Sequence, residues 1–313
     1  MPGFPAFVLG AGLGTRLRPL TDDRPKPLVP VFGKPLITFA FDHLIAAGAT
    51  SLLVNTHHRA EAYDTLLGTV HGRGEYGGHP LMLRHEPVLL DTGGGIANIA
   101  DLVPSWPLLV HNGDVLADLD LHGLIRTHLE SGADATLGLR RAGGPLQVGF
   151  DPAGGRVLGI RGEPAREAPL QCLFTGIYAV SPGLLDYLDA SRPNPLVPAL
   201  IRMIADGRAV GGFLMDAGTW WDLGTPDAYL DAHGALAGGH RLSYLPGSWP
   251  PRAECPHATL SGFNAIGDGA QIGEGASLED CVVWPGAKTA SRVRLRRCIV
   301  HKFAGRSADG EIL

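Results

Sequence analysis

Short apolar runs punctuated by glycine set the rhythm of the first half of the chain. Phe4 to Leu9 is one such run, closed by Gly10, and it predicts a buried strand. Leu36, Ile37, Phe39, Ala40, Leu44 and Ile45 recur at helical spacing until Gly48, which predicts a helix over 36–47. Ser51 to Asn55 predicts a second strand, and a second helix follows near Ala60 to Leu67. Leu81 to Arg84 and Pro107 to Val110 predict strands on either side of a helix over Gly95 to Leu102. Strands alternating with helices point to a mostly parallel sheet covered on both faces. Right-handed crossovers then bring the strand C-termini to one edge, where ligands of such sheets bind. Beyond Asp114 the alternation is less regular. Strands are expected at Ala135 to Leu139, Val157 to Ile160 and Phe174 to Val180, and helices at Pro198 to Asp206 and Ala228 to Leu236.

The pattern changes after residue 240. Pro246, Pro250, Pro251 and Pro256 make 241–257 read as a stiff linker. Then Leu260, Ile266, Ile272, Leu278 and Trp284 fall six residues apart, with Gly267, Gly269, Gly273 and Gly275 between them. One apolar position per six residues with small corner residues is the pattern of a parallel β-helix. Inward side chains stack from coil to coil, and glycine permits tight corners. So short an array is expected to lean on the first domain, on a partner subunit, or on both. The division is therefore 1–240, a linker over 241–257, and a hexapeptide-repeat segment over 258–313.

Composition narrows the classes. With 313 residues, a net charge of −5, 45 % hydrophobic and 18 % charged residues, the chain reads as a globular protein. The negative balance argues against a sequence-independent grip on nucleic acid. No apolar run approaches membrane-spanning length, and Met1-Pro2-Gly3-Phe4-Pro5 lacks the features of a signal peptide. The expectation is a cytoplasmic protein without membrane or nucleic-acid partners. Cysteines 172, 255, 281 and 298 form no CxxC pair and read as small buried hydrophobes.

The densest chemistry lies at the start. Gly10-Ala11-Gly12-Leu13-Gly14-Thr15-Arg16 directly follows the first strand, and such a glycine cluster lets backbone N–H groups approach phosphate oxygens. Arg16 adds a planar fork, and Lys26, between Pro25 and Pro27, a compact charge. The order is neither that of a Walker loop nor the GxGxxG of a dinucleotide fold.

At these residues the sequence resembles the sugar-1-phosphate nucleotidyltransferases, whose fingerprint is a glycine-rich loop ending in arginine followed by Pro-Lys-Pro. Gly33-Lys34-Pro35-Leu36-Ile37 is similar to the family's next block, and later blocks match in order along nearly the whole chain. The resemblance implies an α/β, Rossmann-like mixed sheet plus a short C-terminal left-handed parallel β-helix. It also implies an Mg²⁺-dependent displacement. A sugar 1-phosphate oxygen attacks the α-phosphorus of a nucleoside triphosphate, and pyrophosphate leaves. Asp114, in Asn112-Gly113-Asp114, and Asp222, in Trp221-Asp222-Leu223-Gly224, match the metal-holding carboxylates. Arg16 would stabilise the leaving pyrophosphate and Lys26 the α-phosphate.

Nucleotide contacts are expected from Leu9, Gly10, Ala11, Gly12, Gly14 and Thr15, and from Glu86, Thr92 and Gly93. An ionised Glu86 only accepts hydrogen bonds, which suits the donors of uracil or guanine and disfavours cytosine and adenine. UTP or GTP is thus the expected donor; the alternative is that Glu86 is a solvated loop charge. The Asp-Thr-Gly-Gly-Gly-Ile run at 91–96 is similar to N-acetylmuramate-1-phosphate uridylyltransferases and favours UTP. The appended repeat is similar to mannose-1-phosphate guanylyltransferases, the alternative with GTP.

Sugar contacts are expected at Asn112, Glu163, Thr175 and Gly176. Glu163-Pro164 departs from the family's Glu-Lys-Pro by lacking its lysine, leaving Arg161 or Arg166 to supply that charge. Two rival roles are a non-catalytic subunit that binds a nucleotide sugar and a bifunctional enzyme whose repeat transfers an acyl group. The first should have lost Arg16, Lys26 or an aspartate, and all are present. The repeat is too short for the second and is expected to serve a structural role or to support homo-oligomerisation.

Overall fold

A computed structural model of the chain describes residues 3–304. In chain order the elements are β1 (Phe4–Leu9), β2 (Pro30–Val31), β3 (Lys34–Pro35), α1 (Leu36–Ala46), β4 (Ala49–Thr56), α2 (Ala60–Leu67), β5 (Arg73–Tyr76) and β6 (His79–His85). There follow α3 (Asp91–Asn98), β7 (Leu108–Asn112), β8 (Val115–Asp118), α4 (Leu121–Ser131), β9 (Ala135–Arg140), β10 (Val148–Asp151) and β11 (Arg156–Ile160). Next come β12 (Leu170–Val180), α5 (Leu196–Ala205), β13 (Val210–Leu214), β14 (Thr219–Asp222) and α6 (Pro226–Ala237). The last are β15 (Thr259–Ile266), β16 (Ser277–Val283), β17 (Lys288–Thr289), β18 (Arg294–Arg296), β19 (Ile299–Val300) and β20 (Phe303–Ala304).

Ten strands form the central sheet, in the order β10-β11-β13-β9-β12-β7-β1-β4-β6-β5. The expected parallel pairing holds for β7-β1-β4-β6 and for β13 beside β9. The far half departs from it, because β12 runs antiparallel to β7, β9 and β10, and β10 antiparallel to β11. A parallel neighbour needs a long crossover. The stretch from β9 to β12 has only short loops, so its strands fold back on each other.

Alternation along β1 divides the core. Phe4, Ala6 and Val8 pack with α1, α2 and α4 through residues such as Phe41, Tyr63 and Leu124. Phe7 faces the other way, towards Ile96 of α3 and Leu200 and Met203 of α5. Helix α4 went unread in the sequence, although Leu121, Leu124, Ile125 and His128 are buried along one side of it. Asp120 caps it by accepting from the Gly123 N–H at 2.7 Å.

Segment 241–257 contains neither helix nor strand, yet it is packed. Leu242 is buried, the Tyr244 hydroxyl donates to the Ala117 carbonyl at 2.8 Å, and Trp249 lies edge-on against Phe32 and Phe39. Beyond it, parallel strands stack with paired residues 17–18 positions apart. Leu260 pairs with Leu278, and Leu278 with Leu295. A second row joins Ile266, Val283 and Val300. This stack shares one apolar core with Leu17, Leu20, Val29, Leu223 and Tyr229 of the first domain. Cys172 and Cys281 are buried as expected, while Cys255 and Cys298 are half-exposed.

No helix among the described residues is long and apolar enough to cross a membrane.

Candidate active site

Strands β1, β4 and β7 end side by side, and the glycine-rich loop leaves from the end of β1. Gly10 passes too close to β4 for any side chain, since a Cβ there would lie 2.5 Å from the Asn55 carbonyl oxygen. The loop is tied down by Asn55, whose Oδ1 accepts from the Gly10 N–H at 2.8 Å, and by the Tyr63 hydroxyl, which donates to Gly10 O at 2.7 Å. Gly14 is left-handed, φ 63°, a conformation glycine adopts without steric cost. The Thr21 hydroxyl then closes the loop by donating to Gly14 O at 2.9 Å.

Above the loop lies a cavity of about 380 Å³. Of the residues expected from the sequence, Leu9, Ala11, Gly12, Gly14, Thr15, Arg16, Lys26, Thr92, Asn112 and Asp114 line it. Space beside Gly12 is open.

The charged heart of the site is a three-way contact. Lys26 begins a short 3-10 turn after Pro25, with Pro27 in its first turn. The Lys26 side chain is only 7 % exposed. Its Nζ stands 2.7 Å from Asp114 Oδ2 and 3.5 Å from Asp222 Oδ1. Arg16 approaches Asp222 at 3.8 Å. The two aspartates meet because β14 pairs antiparallel with β8, setting Asp222 opposite Val115, and the Leu223 N–H donates to Asp114 O at 3.2 Å. Gly224 leaves the space Arg16 occupies, since a Cβ there would sit 2.9 Å from the guanidinium. Lys26 and Arg16 together balance the two carboxylates, whose side chains are 32 % and 41 % exposed and so stay open to a ligand from the cavity side. Few protein carboxylates, completed by phosphate oxygens and water, is the donor set Mg²⁺ prefers. Among the described residues no cluster of three or more metal-ligating side chains occurs, so the substrate would have to complete such a shell.

Other expected residues lie behind the cavity wall. Glu86 is wholly buried, 0 % exposed. Its Oε1 accepts from Asn55 Nδ2 at 2.7 Å and its Oε2 from the Leu90 N–H at 3.0 Å. It is therefore neither a solvated loop charge nor a cavity-facing group; it fixes the asparagine that fixes Gly10. Gly93 sits inside α3, which begins at Asp91 and not at the expected Gly95. A Cβ on Gly93 would lie 2.7 Å from Asn194 O. Gly93 and Gly94 let the helix press against 188–194, while Gly95 makes room for Asn55 and Glu86.

Thr175 is buried and donates to Gly138 O at 2.8 Å. Gly176, φ 77°, makes room for Asn112, whose amide would lie 2.5 Å from a Cβ. Glu163 is exposed and lines neither this cavity nor its neighbour. That neighbour, about 440 Å³, shares Asp91, Thr92 and Asn112 with the first and is also lined by Arg161.

Sequence reasoning passed over Asn55, although a polar residue closing an apolar strand beside the glycine loop was a usable signal. It also passed over His111, one residue before Asn112. His111 Nδ1 donates to the Asn112 carbonyl at 2.8 Å. Burial, helped by His43 nearby, pushes its pKa down to about 3, so it stays a neutral support under the site.

Residues 5–238 match the family described as nucleotidyl transferase. The chain is 32 % identical over 311 residues to a mannose-1-phosphate guanylyltransferase of Mycobacterium tuberculosis, covering 93 % of this chain and 83 % of that protein. It is 35 % identical over 243 residues to an N-acetylmuramate alpha-1-phosphate uridylyltransferase of Caulobacter vibrioides, covering 74 % of this chain and 96 % of that one. Among solved structures, a UDP-glucose pyrophosphorylase from Acinetobacter baumanii superposes with a TM-score of 0.61 at 21 % identity, covering 77 % of this chain and 96 % of that one. That last likeness speaks for the fold alone. With three-quarters of its length inside the family match, the chain belongs to the nucleotidyl transferase family.

Proposed function

We propose that the chain joins a nucleoside triphosphate to a sugar 1-phosphate, releasing pyrophosphate and leaving a nucleotide-activated sugar. The observation that carries this reading is Lys26, held between Asp114 and Asp222 at the edge of a cavity walled by the glycine-rich loop. A phosphate oxygen of the sugar 1-phosphate attacks the α-phosphorus, the bond to the bridging oxygen breaks, and pyrophosphate departs with that oxygen. Such transfers ask the protein mainly for alignment and charge. Lys26 meets the α-phosphate, Arg16 meets the leaving pyrophosphate, and loop N–H groups line the polyphosphate path. Asp114 and Asp222 would hold Mg²⁺, which when bound neutralises phosphate charge.

The first pair to try is UTP with N-acetylmuramate 1-phosphate or a similar hexose 1-phosphate, supported by the 35 % identity across the catalytic region. The second is GTP with mannose 1-phosphate. It is supported by a match that runs on through the C-terminal stack. Parallel rows 17–18 residues apart, as in Ser277 against Arg294 and Thr259 against Ser277, support reading that stack as a short left-handed β-helix. The stack also offers a surface through which copies of the chain would assemble.

The test is pyrophosphate release across four nucleoside triphosphates and a panel of sugar 1-phosphates with Mg²⁺. Release with one pair, abolished in Asp114→Ala, is the expected result. Silence across the panel with nucleotide sugars still binding would return the chain to the non-catalytic reading.

A further inference from the structure

The second cavity is chemically lopsided. Phe174 and the run Pro195 to Pro198 give it apolar walls. Arg161 is the one cationic residue lining it. The arginine is held at left-handed φ 56°, a conformation that non-glycine residues keep only when the surroundings enforce it. Its N–H donates to Gln147 O at 2.6 Å and its Nε to Gln147 Oε1 at 3.2 Å. Both terminal guanidinium nitrogens are left without a hydrogen bond or ion pair among the described residues. Tyr178, 1 % exposed, lines the same cavity, and its hydroxyl has no partner. Burial raises its pKa, so it remains a proton donor. A buried donor left unpaired is costly, and an unoccupied guanidinium fork suits a carboxylate. Asp91 stands at the junction of the two cavities and repels an anion there, favouring the Arg161 end.

We propose that this second cavity takes a carboxylate-bearing substituent of the acceptor sugar 1-phosphate, with Arg161 reading the carboxylate and Tyr178 donating to a further oxygen. The inference rests on the transferase reading and names the substrate class of that same site. Arg161 does not serve the sugar's phosphate. That group must reach the α-phosphorus beside Lys26 and Asp114, which line the first cavity and not the second. An ether-linked lactyl group on a hexose has the required chemistry: a short apolar arm ending in an acid.

The experiment compares kcat/KM for N-acetylmuramate 1-phosphate and N-acetylglucosamine 1-phosphate, which differ by the lactyl ether, with the preferred nucleotide. The wild-type protein should favour the acidic sugar by roughly tenfold or more, as expected for a charge-assisted hydrogen bond. Arg161→Gln should collapse that ratio, Arg161→Lys should keep part of it, and Tyr178→Phe should lower it severalfold without loss of fold. A wild-type preference for the neutral sugar, or a ratio unmoved by Arg161→Gln, overturns the inference while leaving the transferase reading intact. Silence with every sugar and nucleotide defeats both.

Discussion

Glu86→Gln separates two roles for one carboxylate. If Glu86 read the base, the change would alter which triphosphate is used. The structure gives it different work: Oε1 accepts from Asn55 Nδ2 at 2.7 Å and Oε2 from the Leu90 N–H at 3.0 Å, with no exposure to solvent. Glutamine offers one acceptor oxygen and one NH₂, so one of the two donors must face another donor. Losing a hydrogen bond to a charged group costs about 1.5–3 kcal/mol, and a buried donor left unpaired about 1–3. The two terms overlap, giving about 2–4 kcal/mol. For a domain of this size each kcal/mol lowers Tm by roughly 2–4 °C, so a fall of roughly 5–15 °C is expected. Asn55 holds the Gly10 N–H at 2.8 Å, so loosening it should raise KM for all four triphosphates together. Thermal unfolding and a four-nucleotide kcat/KM panel read both effects. An unchanged Tm with a reordered nucleotide preference would refute the reasoning.

Other perturbations follow from the same geometry. Lys26→Gln removes the cation between Asp114 and Asp222 and should lower kcat by roughly 10²–10³, the range for removing one preorganised transition-state stabiliser; a loss under threefold in steady-state kinetics would argue against its role. Gly224→Ala puts a methyl 2.9 Å from the Arg16 guanidinium and should lower kcat more than it raises KM, whereas unchanged kinetics would mean that Arg16 is not held there. Trp284→Phe loses the indole N–H bond to the Tyr229 hydroxyl at 3.1 Å and should cost about 1 kcal/mol in urea unfolding. His111 and His233 are buried neutral, with pKa values lowered to about 3 and about 4 chiefly by desolvation. Their unfolded forms take up protons first, so stability is full above pH 6.5 and should fall by about 1.4 kcal/mol per pH unit per histidine on the way down to those values. A flat unfolding free energy from pH 7 to 4.5 would contradict their burial.

The sequence was informative where one local signal sufficed. Phe4 to Leu9 and Ala60 to Leu67 form the elements their spacing predicts. The loop from Gly10 to Arg16 and Lys26 meet at one cavity as their chemistry suggested. It was less informative where burial decides what a polar side chain does. Glu86 and Thr175 are the right residue types near the right place, but each is one layer behind the wall. Composition cannot say which side of a strand end a carboxylate faces. The resemblance implied a mixed sheet, but the hydrophobic pattern did not place its antiparallel half, because β10 and β11 are short and joined by loops whose direction such a pattern does not encode. Arg161 was read only as a substitute for a missing lysine. Its left-handed backbone and its place in a second cavity depend on contacts with Gln147, far from it in sequence.

The C-terminal stack is tied to the chemistry by more than a linker. Trp284, the last of the six-residue series, binds the Tyr229 hydroxyl, which in turn donates to Pro30 O. Arg24 lies over the same indole, 5.2 Å from its centroid. Lys302 pairs with Asp23. Residues 23 and 24 therefore rest on the stack just before Pro25 and Lys26 turn into the cavity. Arg24 is desolvated there, and a cation over an indole face is worth more once water is excluded. The repeat thus supports the backbone that aims Lys26. Its short length then becomes understandable: an array that shares its core with Leu17, Leu20 and Val29 need not be stable alone, and its stability is coupled to that of the segment carrying Lys26.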